Sequence, residues 1–268
     1  FDSMEKYCAG KGAEYLEGPF NPNHYSELGL LVRNFDPPAF FEPYNPEYYA
    51  ALLQASGFKP VLQLHSRIIR NAPDLAGRSM PDVSARVKAA GYTIRPFRLC
   101  HLRSDLERIR EVFNDAFTDN WYFLPLSREE YLFSAQSLFL VTNPSLIQIV
   151  EHHGKPVGVL QMVLNVNPIL APMKGRRSLG GLLRFIRQRF AVREVVLYAI
   201  GVKKEYRRSV VFKLLLDAFY RLAQRYRVAY CTWMSDANTA AVTAADHAGF
   251  IPYKWFEIYG KPINEPNR

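Results

Sequence analysis

Residues 195–219 read VVLYAIGVKKEYRRSVVFKLLLDAF, and three rhythms follow one another within them. Glu194–Val202 is a strongly apolar run of the length of a buried strand. Lys203 to Arg208 is a short charged break. From Ser209 to Arg227 the residues Val211, Leu214, Leu215, Ala218, Phe219 and Leu222 recur at helical spacing. A buried strand that passes through a basic turn into an amphipathic helix is the unit of an α/β layer. It also sets a helix N-terminus, with unpaired N–H groups and a positive dipole end, behind basic side chains, which suits a phosphate. Arg207 and Arg208 add bidentate donors.

The pattern continues on both sides. Downstream, Val228–Met234 reads as a strand, Thr239–Ala248 as a short helix stopped by Gly249, and Trp255–Tyr259 as a last strand. Upstream, Tyr92–Leu99 is a strand, and Ser104–Phe117 a helix carrying Leu106, Ile109, Val112, Phe113 and Phe117 on one side. Ser127 caps a second helix, with Glu130 as its capping-box partner. Leu146–Glu151 and Pro156–Leu164 form a hairpin around the turn HHGK. The order over 92–268 is β-α-α-β-β-insert-β-α-β-α-β, an α/β chain with a mixed sheet. Residues 1–70 hold a helix near 2–12, a strand at Glu14–Leu16, the helix PEYYAALLQAS stopped by Gly57, and a strand at Val61–Ile69. Residues 71–91 are a Pro/Gly-bearing connector with one short helix.

The chain has 268 residues, and 34 Lys+Arg against 25 Asp+Glu give a net charge of +9. Residues 173–227 hold 15 basic and 3 acidic side chains, so the remainder is slightly acidic. A composition 49% hydrophobic and 22% charged excludes a disordered chain. Cys8, Cys100 and Cys231 are odd in number and far apart, which is neither a disulfide framework nor a zinc ligand set. A reducing, cytoplasmic setting is expected, without a membrane-spanning run or a secretory signal. The chain opens on Phe1 rather than Met and is expected to lack a native N-terminal region. His152-His153 reads as a solvated turn, with no carboxylate or Cys at ligand spacing, so no metal is expected. Walker, HExxH and G-x-S-x-G motifs are absent from the sequence.

The basic charge has two parts. One is the turn after Val202. The other is the insert 173–193, which contains KGRRSLGGLLRFIRQRFAVR. At helical spacing Leu179, Leu182, Leu183, Ile186 and Phe190 fall within about 100° on one face. Arg187 and Arg189 flank that face, and Arg184 and Gln188 point away. This is the pattern of an interfacial helix on an anionic membrane, spanning 176–190. The same pattern suits an amphipathic helix docked on the protein's own sheet or on a partner subunit, and Gly180-Gly181 weakens an isolated helix. A nucleic-acid partner is not expected, because the basic face is narrow and shares its helix with large apolar groups.

The strand–turn–helix at 195–219, the segment SDANTAAVTAADHAGF and the terminal YKWFEIYGKPI together resemble the GNAT fold of the GCN5-related N-acetyltransferases. ALLQASGF and AADHAGF take equivalent places in two halves, so the whole resembles a bacterial tandem-GNAT family. One complete C-terminal unit over 92–268 would follow a partial N-terminal unit lacking its first four strands. The resemblance implies an acyltransferase that uses acyl-CoA or acetyl-CoA, or an acyl-carrier-protein thioester. It implies pantetheine along Ile200–Val202, and pyrophosphate at Lys203, Arg207, Arg208, Ser209, Val210 and Val211. It places the amine acceptor near Asp119, Asn120 and Trp121.

The family loop reads Q/R-x-x-G-x-G/A, whereas Arg207-Arg208-Ser209-Val210-Val211-Phe212 has large side chains at both glycine positions. Ala245 stands where many members keep a tyrosine acid, which leaves Tyr198, Tyr122 and Tyr259 as substitutes. Asp236 and Asn238 follow a strand, where α/β proteins place sites, although both residue types also cap helices. The expectation is an N-acyltransferase acting on an amine, with Tyr198, Asp236, Asn238 and Tyr122 as catalytic candidates. The insert suggests a lipophilic acceptor such as an amino-lipid or sphingoid-like base, reached from the inner face of the membrane. The alternative is a catalytically inactive GNAT-like binding protein with a remodelled loop. Oligomeric state is not legible.

Overall fold

The computed structural model describes residues 1–20, 27–78, 84–138, 142–176 and 178–263. In chain order the elements are α1 (Asp2–Ala9), β1 (Tyr15–Gly18), β2 (Leu30–Arg33), α2 (Tyr49–Ala55), β3 (Lys59–Ile69), α3 (Ser84–Ala89), β4 (Tyr92–Pro96), α4 (Leu102–Ala116), α5 (Arg128–Leu138) and β5 (Ile147–His152). They continue as β6 (Lys155–Leu164), α6 (Asn167–Leu170), α7 (Leu179–Gln188), β7 (Glu194–Val202), α8 (Val211–Ala223), β8 (Val228–Ser235), α9 (Thr239–Ala248) and β9 (Ile251–Pro262). Part of the expected connector, residues 79–83, and Arg177 of the insert lie outside the described residues.

The chain forms two compact units that do not follow its linear halves. One comprises Ile68–Cys231, and the other joins Phe1–Arg67 to Thr232–Arg268. The reason lies in β9, which is far longer than the expected Trp255–Tyr259. It pairs antiparallel with β1 from Tyr15↔Pro262 to Gly18↔Tyr259, and with β2 from Leu30↔Glu257 to Arg33↔Trp255. Twelve residues of C-terminal strand are thereby committed to the N-terminal segment.

In the Ile68–Cys231 unit the strand order is β8-β7-β6-β5-β4. Pairing is antiparallel from β4 to β7, and β7–β8 is parallel. Alternation along β6 assigns the two faces. Val159 joins Phe97, Leu106, Ile109, Val112 and Ile149 in a core cluster under α4. Its neighbour Gly158 meets Val211 of α8. Helices α4 and α8 therefore cover opposite faces of this sheet. The capping box forms as expected: the Ser127 N–H donates to Glu130 Oε2 at 2.8 Å, and the Glu130 N–H to Ser127 Oγ at 3.2 Å. The β5–β6 turn holds His153 at φ 47° and Gly154 at φ 77°, the left-handed pair that a two-residue hairpin turn needs.

A buried ion pair ties this sheet to α4. Arg95 grips Asp105 with two bonds of 2.7 Å, and the Arg98 N–H adds a third at 3.0 Å. Arg95 also bonds Glu151 at 2.7 Å. Burial pushes the Asp105 carboxyl up, but the Arg95 bonds and the Arg98 N–H outweigh it and hold it below its usual range.

In the other unit the strand order is β1-β9-β3-β8, with β2 also on β9; β8 enters at Thr232. Leu30, Phe58 and Tyr259 form a small core with Leu16, Ala50 and Leu53. Lys254 is fully buried; its amine donates to Asp36 O and to Pro37 O (3.1 Å), and Glu42 lies 3.6 Å away. Among the described residues no helix is long and apolar enough to cross a membrane.

Asp105→Ala leaves Arg95 partly buried without its main partner and is expected to cost about 3 kcal/mol in chemical denaturation. In the wild type the Asp105 contribution is present above the unfolded carboxyl's pKa of about 4 and is lost as pH falls through the lower folded value. The gap between wild type and variant should therefore shrink in acid.

Candidate active site

Strand β7 is paired unequally on its two sides. Its ladder with β6 runs from Val195↔Leu164 to Val202↔Gly158. Its ladder with β8 stops at Leu197↔Cys231. The β6 register shifts where Leu197 faces Met162 and Ala199 faces Gln161, which makes Tyr198 the extra residue of a bulge. From Tyr198 onward one edge of β7 is thus released from the parallel ladder, while β6 holds the other edge to the end. Backbone N–H and C=O groups on such an edge accept an extended ligand as a further strand would. Ile200 and Val202 lie on this segment.

The chain then enters the basic turn. The Lys203 N–H donates to Val157 O at 3.0 Å, and Lys204–Tyr206 make one 3₁₀ turn. Ser209 Oγ donates to Tyr206 O at 2.6 Å and accepts the Val211 N–H at 3.2 Å. Ser209 therefore serves the start of α8 from one position outside the N-cap, which is Val210. Val210 has φ −70° and ψ −11°, an ordinary right-handed conformation. The backbone here does not need glycine, and a β-branched residue fits without strain. Val211 is fully buried, and a Cβ at position 158 would lie 2.4 Å from its Cγ1. Glycine on β6 thus admits valine on α8. Phe212 is half-buried.

Most cations of the turn meet acids of α4 and the segment after it. Lys203 pairs with Glu111. Lys204 Nζ lies 2.7 Å from Asp119 Oδ1, and both Arg207 terminal nitrogens lie 3.2 Å from Asp119 Oδ2. The Lys204 N–H donates to Asp115 Oδ1 at 2.6 Å, and Arg207 also donates to Ala116 O at 3.0 Å. Hydrogen bonds from Lys204, then Arg207, hold the Asp119 carboxyl below its usual range. Arg208 is exposed and has no ion pair among the described residues. The residues expected to bind pyrophosphate and the one expected to meet an amine are thus brought together.

Asn120 belongs to a tight turn: its N–H donates to Phe117 O (2.9 Å), and its carbonyl accepts the Phe123 N–H (3.1 Å). Trp121 and Tyr122 rings lie 4.2 Å apart, and Tyr122 is left-handed at φ 48°, a strained position for a bulky residue. On the α5 side the Tyr131 hydroxyl lies 3.4 Å from Gln161 Oε1. Burial, and then the nearby Tyr198, push the Tyr131 phenol well up. Gln161 Nε2 is buried without a hydrogen-bond partner among the described residues, a donor left unspent across from the β7 bulge.

In the other unit Asn238 caps α9, its Oδ1 accepting the Ala241 N–H at 3.2 Å. Asp236 is 67% exposed, and its Oδ1 lies 3.1 Å from Nδ1 of buried His65. Arg67 Nε donates to His65 Nε2 at 2.9 Å, which makes Nδ1 the protonated nitrogen facing Asp236. Arg67 in turn pairs with Asp246 of α9. Burial lowers the His65 pKa, and the opposing pull of Asp236 does not restore it. His65 and Arg67 are absent from the sequence expectations. Their signal was a polar row, Gln63, His65 and Arg67, at i, i+2 and i+4 on one face of the strand. Ala245 is buried in α9.

This architecture is the GNAT fold, in tandem arrangement. No family model matches the chain. A tandem GNAT protein from the clavulanic acid biosynthesis pathway superposes with a TM-score of 0.52 at 13% identity, over 99% of this chain and 69% of that one. A GCN5-related glucosamine N-acetyltransferase region in a fungal multi-domain β-N-acetylglucosaminidase gives 0.55 at 11% identity, over 97% of this chain but 27% of that one. Among sequences, the chain is 28% identical over 280 residues to a protein of Caulobacter vibrioides (strain NA1000 / CB15N) named bacterial ceramide synthase. The match covers 98% of this chain and 71% of that protein. Fold and relative together support acyltransferase activity.

Burial holds the folded His65 ring below its ordinary pKa, while an unfolded ring takes a proton near pH 6.5. Its contribution to stability is present above about pH 6.5 and lost as pH falls through the lower folded value. His65→Gln is expected to flatten the decline in wild-type melting temperature between about pH 7 and pH 5. Parallel curves for the two proteins would contradict a lowered His65 pKa.

Proposed function

We propose that the chain is an N-acyltransferase that moves an acyl group from a CoA thioester, or an acyl-carrier-protein thioester, to a lipophilic amine. The observation that carries this is the one-sided pairing of β7, with its released edge running from Tyr198 to Val202 and leading into a basic turn at the start of α8. A pantetheine arm is an extended chain with amides, and that edge offers it backbone partners. A pyrophosphate suits the first turn of α8 with Arg208, and it competes with Asp119 for Lys204 and Arg207. In the reaction the amine nitrogen attacks the acyl carbon, a C–N bond forms, and the C–S bond breaks. The amine proton goes to a base, and the thiolate leaves with a proton from an acid. Asp236, oriented by His65, and Asn238 remain catalytic candidates of the other unit. Tyr198 and Tyr122 are the candidate acids. Asn120 and Trp121 remain candidates for the acceptor.

A ceramide is an N-acylated sphingoid base, so the relative's name agrees with an amino-lipid or sphingoid-like acceptor. Such a substrate would be met at the inner face of the cytoplasmic membrane. A second reading is an inactive binding protein. It is favoured by Asp119 occupying two loop cations and by Ala245 in place of a tyrosine.

Calorimetric titration with thioesters from acetyl- to palmitoyl-CoA, and with an acylated carrier protein, separates the two. Binding of at least one donor is expected. Arg208→Glu should weaken it about tenfold or more. No binding to any donor sinks the enzyme reading.

A further inference from the structure

Helix α7 presents its apolar arc outward. Ser178 caps it by accepting the Gly181 N–H at 3.0 Å. The helix is anchored by Phe185, 5% exposed, and by Gly181, where a Cβ would come within 2.9 Å of Met173. Leu183 lies on the far side and is 69% exposed, with Leu179 at 84% and Phe190, just past the helix, at 79%. Leu182 and Ile186, on the side of the arc nearer the anchor, are also exposed. An amphipathic helix normally buries its apolar face; this one buries a different side. Docking on the chain's own sheet, which the sequence allowed, is therefore not what the arc does.

The charges name the occupant. Among the described residues 167–193 hold no acid, whereas Lys174, Arg176, Arg184, Arg187, Arg189 and Arg193 are all present. The Arg189 guanidinium sits 5.2 Å from the centre of the Phe190 ring. A protein partner for such an apolar arc needs only a matching apolar groove. An apolar arc ringed by unneutralised arginines matches acyl chains beneath anionic headgroups.

We infer that α7, with the turn through Phe190, docks the protein on an anionic bilayer surface, Leu179, Leu183 and Phe190 entering the acyl boundary and the arginines contacting headgroup phosphates. This rests on the proposed lipophilic acceptor for its purpose, but on the helix alone for its evidence.

The test is flotation of the full chain, without any acyl donor, on phosphatidylcholine vesicles with and without phosphatidylglycerol. Recovery is expected on the anionic vesicles, falling in high salt. It should drop about tenfold or more for Leu183→Glu/Phe190→Glu and for Arg184→Gln/Arg187→Gln/Arg189→Gln. The changed positions are exposed except Arg189, which is half-buried, and circular dichroism melting checks that the variants fold. Equal recovery of wild type and variants overturns the inference. So does failure to float, or a loss of self-association in the Glu variant seen by sedimentation with flotation unchanged. A protein that floats yet binds no thioester keeps this inference and loses the acyltransferase reading; the opposite pair of results does the reverse.

Discussion

A strand cannot keep two neighbours and also offer an edge, and β7 resolves that conflict by changing its pairing partway along. Up to Leu197 it is a central strand, hydrogen-bonded to β8 and β6. The extra residue at Tyr198 breaks the rhythm, and beyond it only β6 remains. Everything expected of a site in this unit hangs on that change. The bulge aims Tyr198, the released edge supplies backbone groups, and the strand still ends where α8 begins. The helix can start at Val211 because Ser209 and Val210 close the turn in ordinary backbone geometry.

The fold was legible where residues speak for themselves over short distances. The apolar run at 194–202, the helix face from Val211 to Leu222, and the Ser127–Glu130 pair all act within one turn or one strand, and the structure matches them closely. What failed was long-range. β2 is four residues beside a turn-rich stretch, too short to show a rhythm. β9 was read short because Pro252, Gly260 and Pro262 interrupt its pattern, yet pairing with β1 and β2 carries it to Pro262. The division into units depends on those pairings, so no linear reading could have found it.

The site shows the same divide. The basic turn was visible, but its acids, Glu111, Asp115 and Asp119, lie some 85 to 92 residues upstream and meet it only through the fold. Reading charge along the chain made the turn look free, whereas three of its cations already have carboxylates and Arg208 stands apart. The large side chain at the first glycine position is accommodated because the turn is right-handed at Val210. The insert behaves differently again, because its arginines find no acids and its leucines find no core. The net charge of +9 therefore divides into a portion spent inside the fold and a portion left facing outward.

The contact of Val211 with Gly158 carries a consequence for how this sequence can change over time. A methyl group on α8 occupies the place where any side chain on β6 would begin. Neither position can vary in size by itself: enlarging 158 requires shrinking 211, and a smaller residue at 211 opens a hole that a larger one at 158 could fill. Valine at 211 is thus one half of a packing pair, and its other half is the glycine of β6.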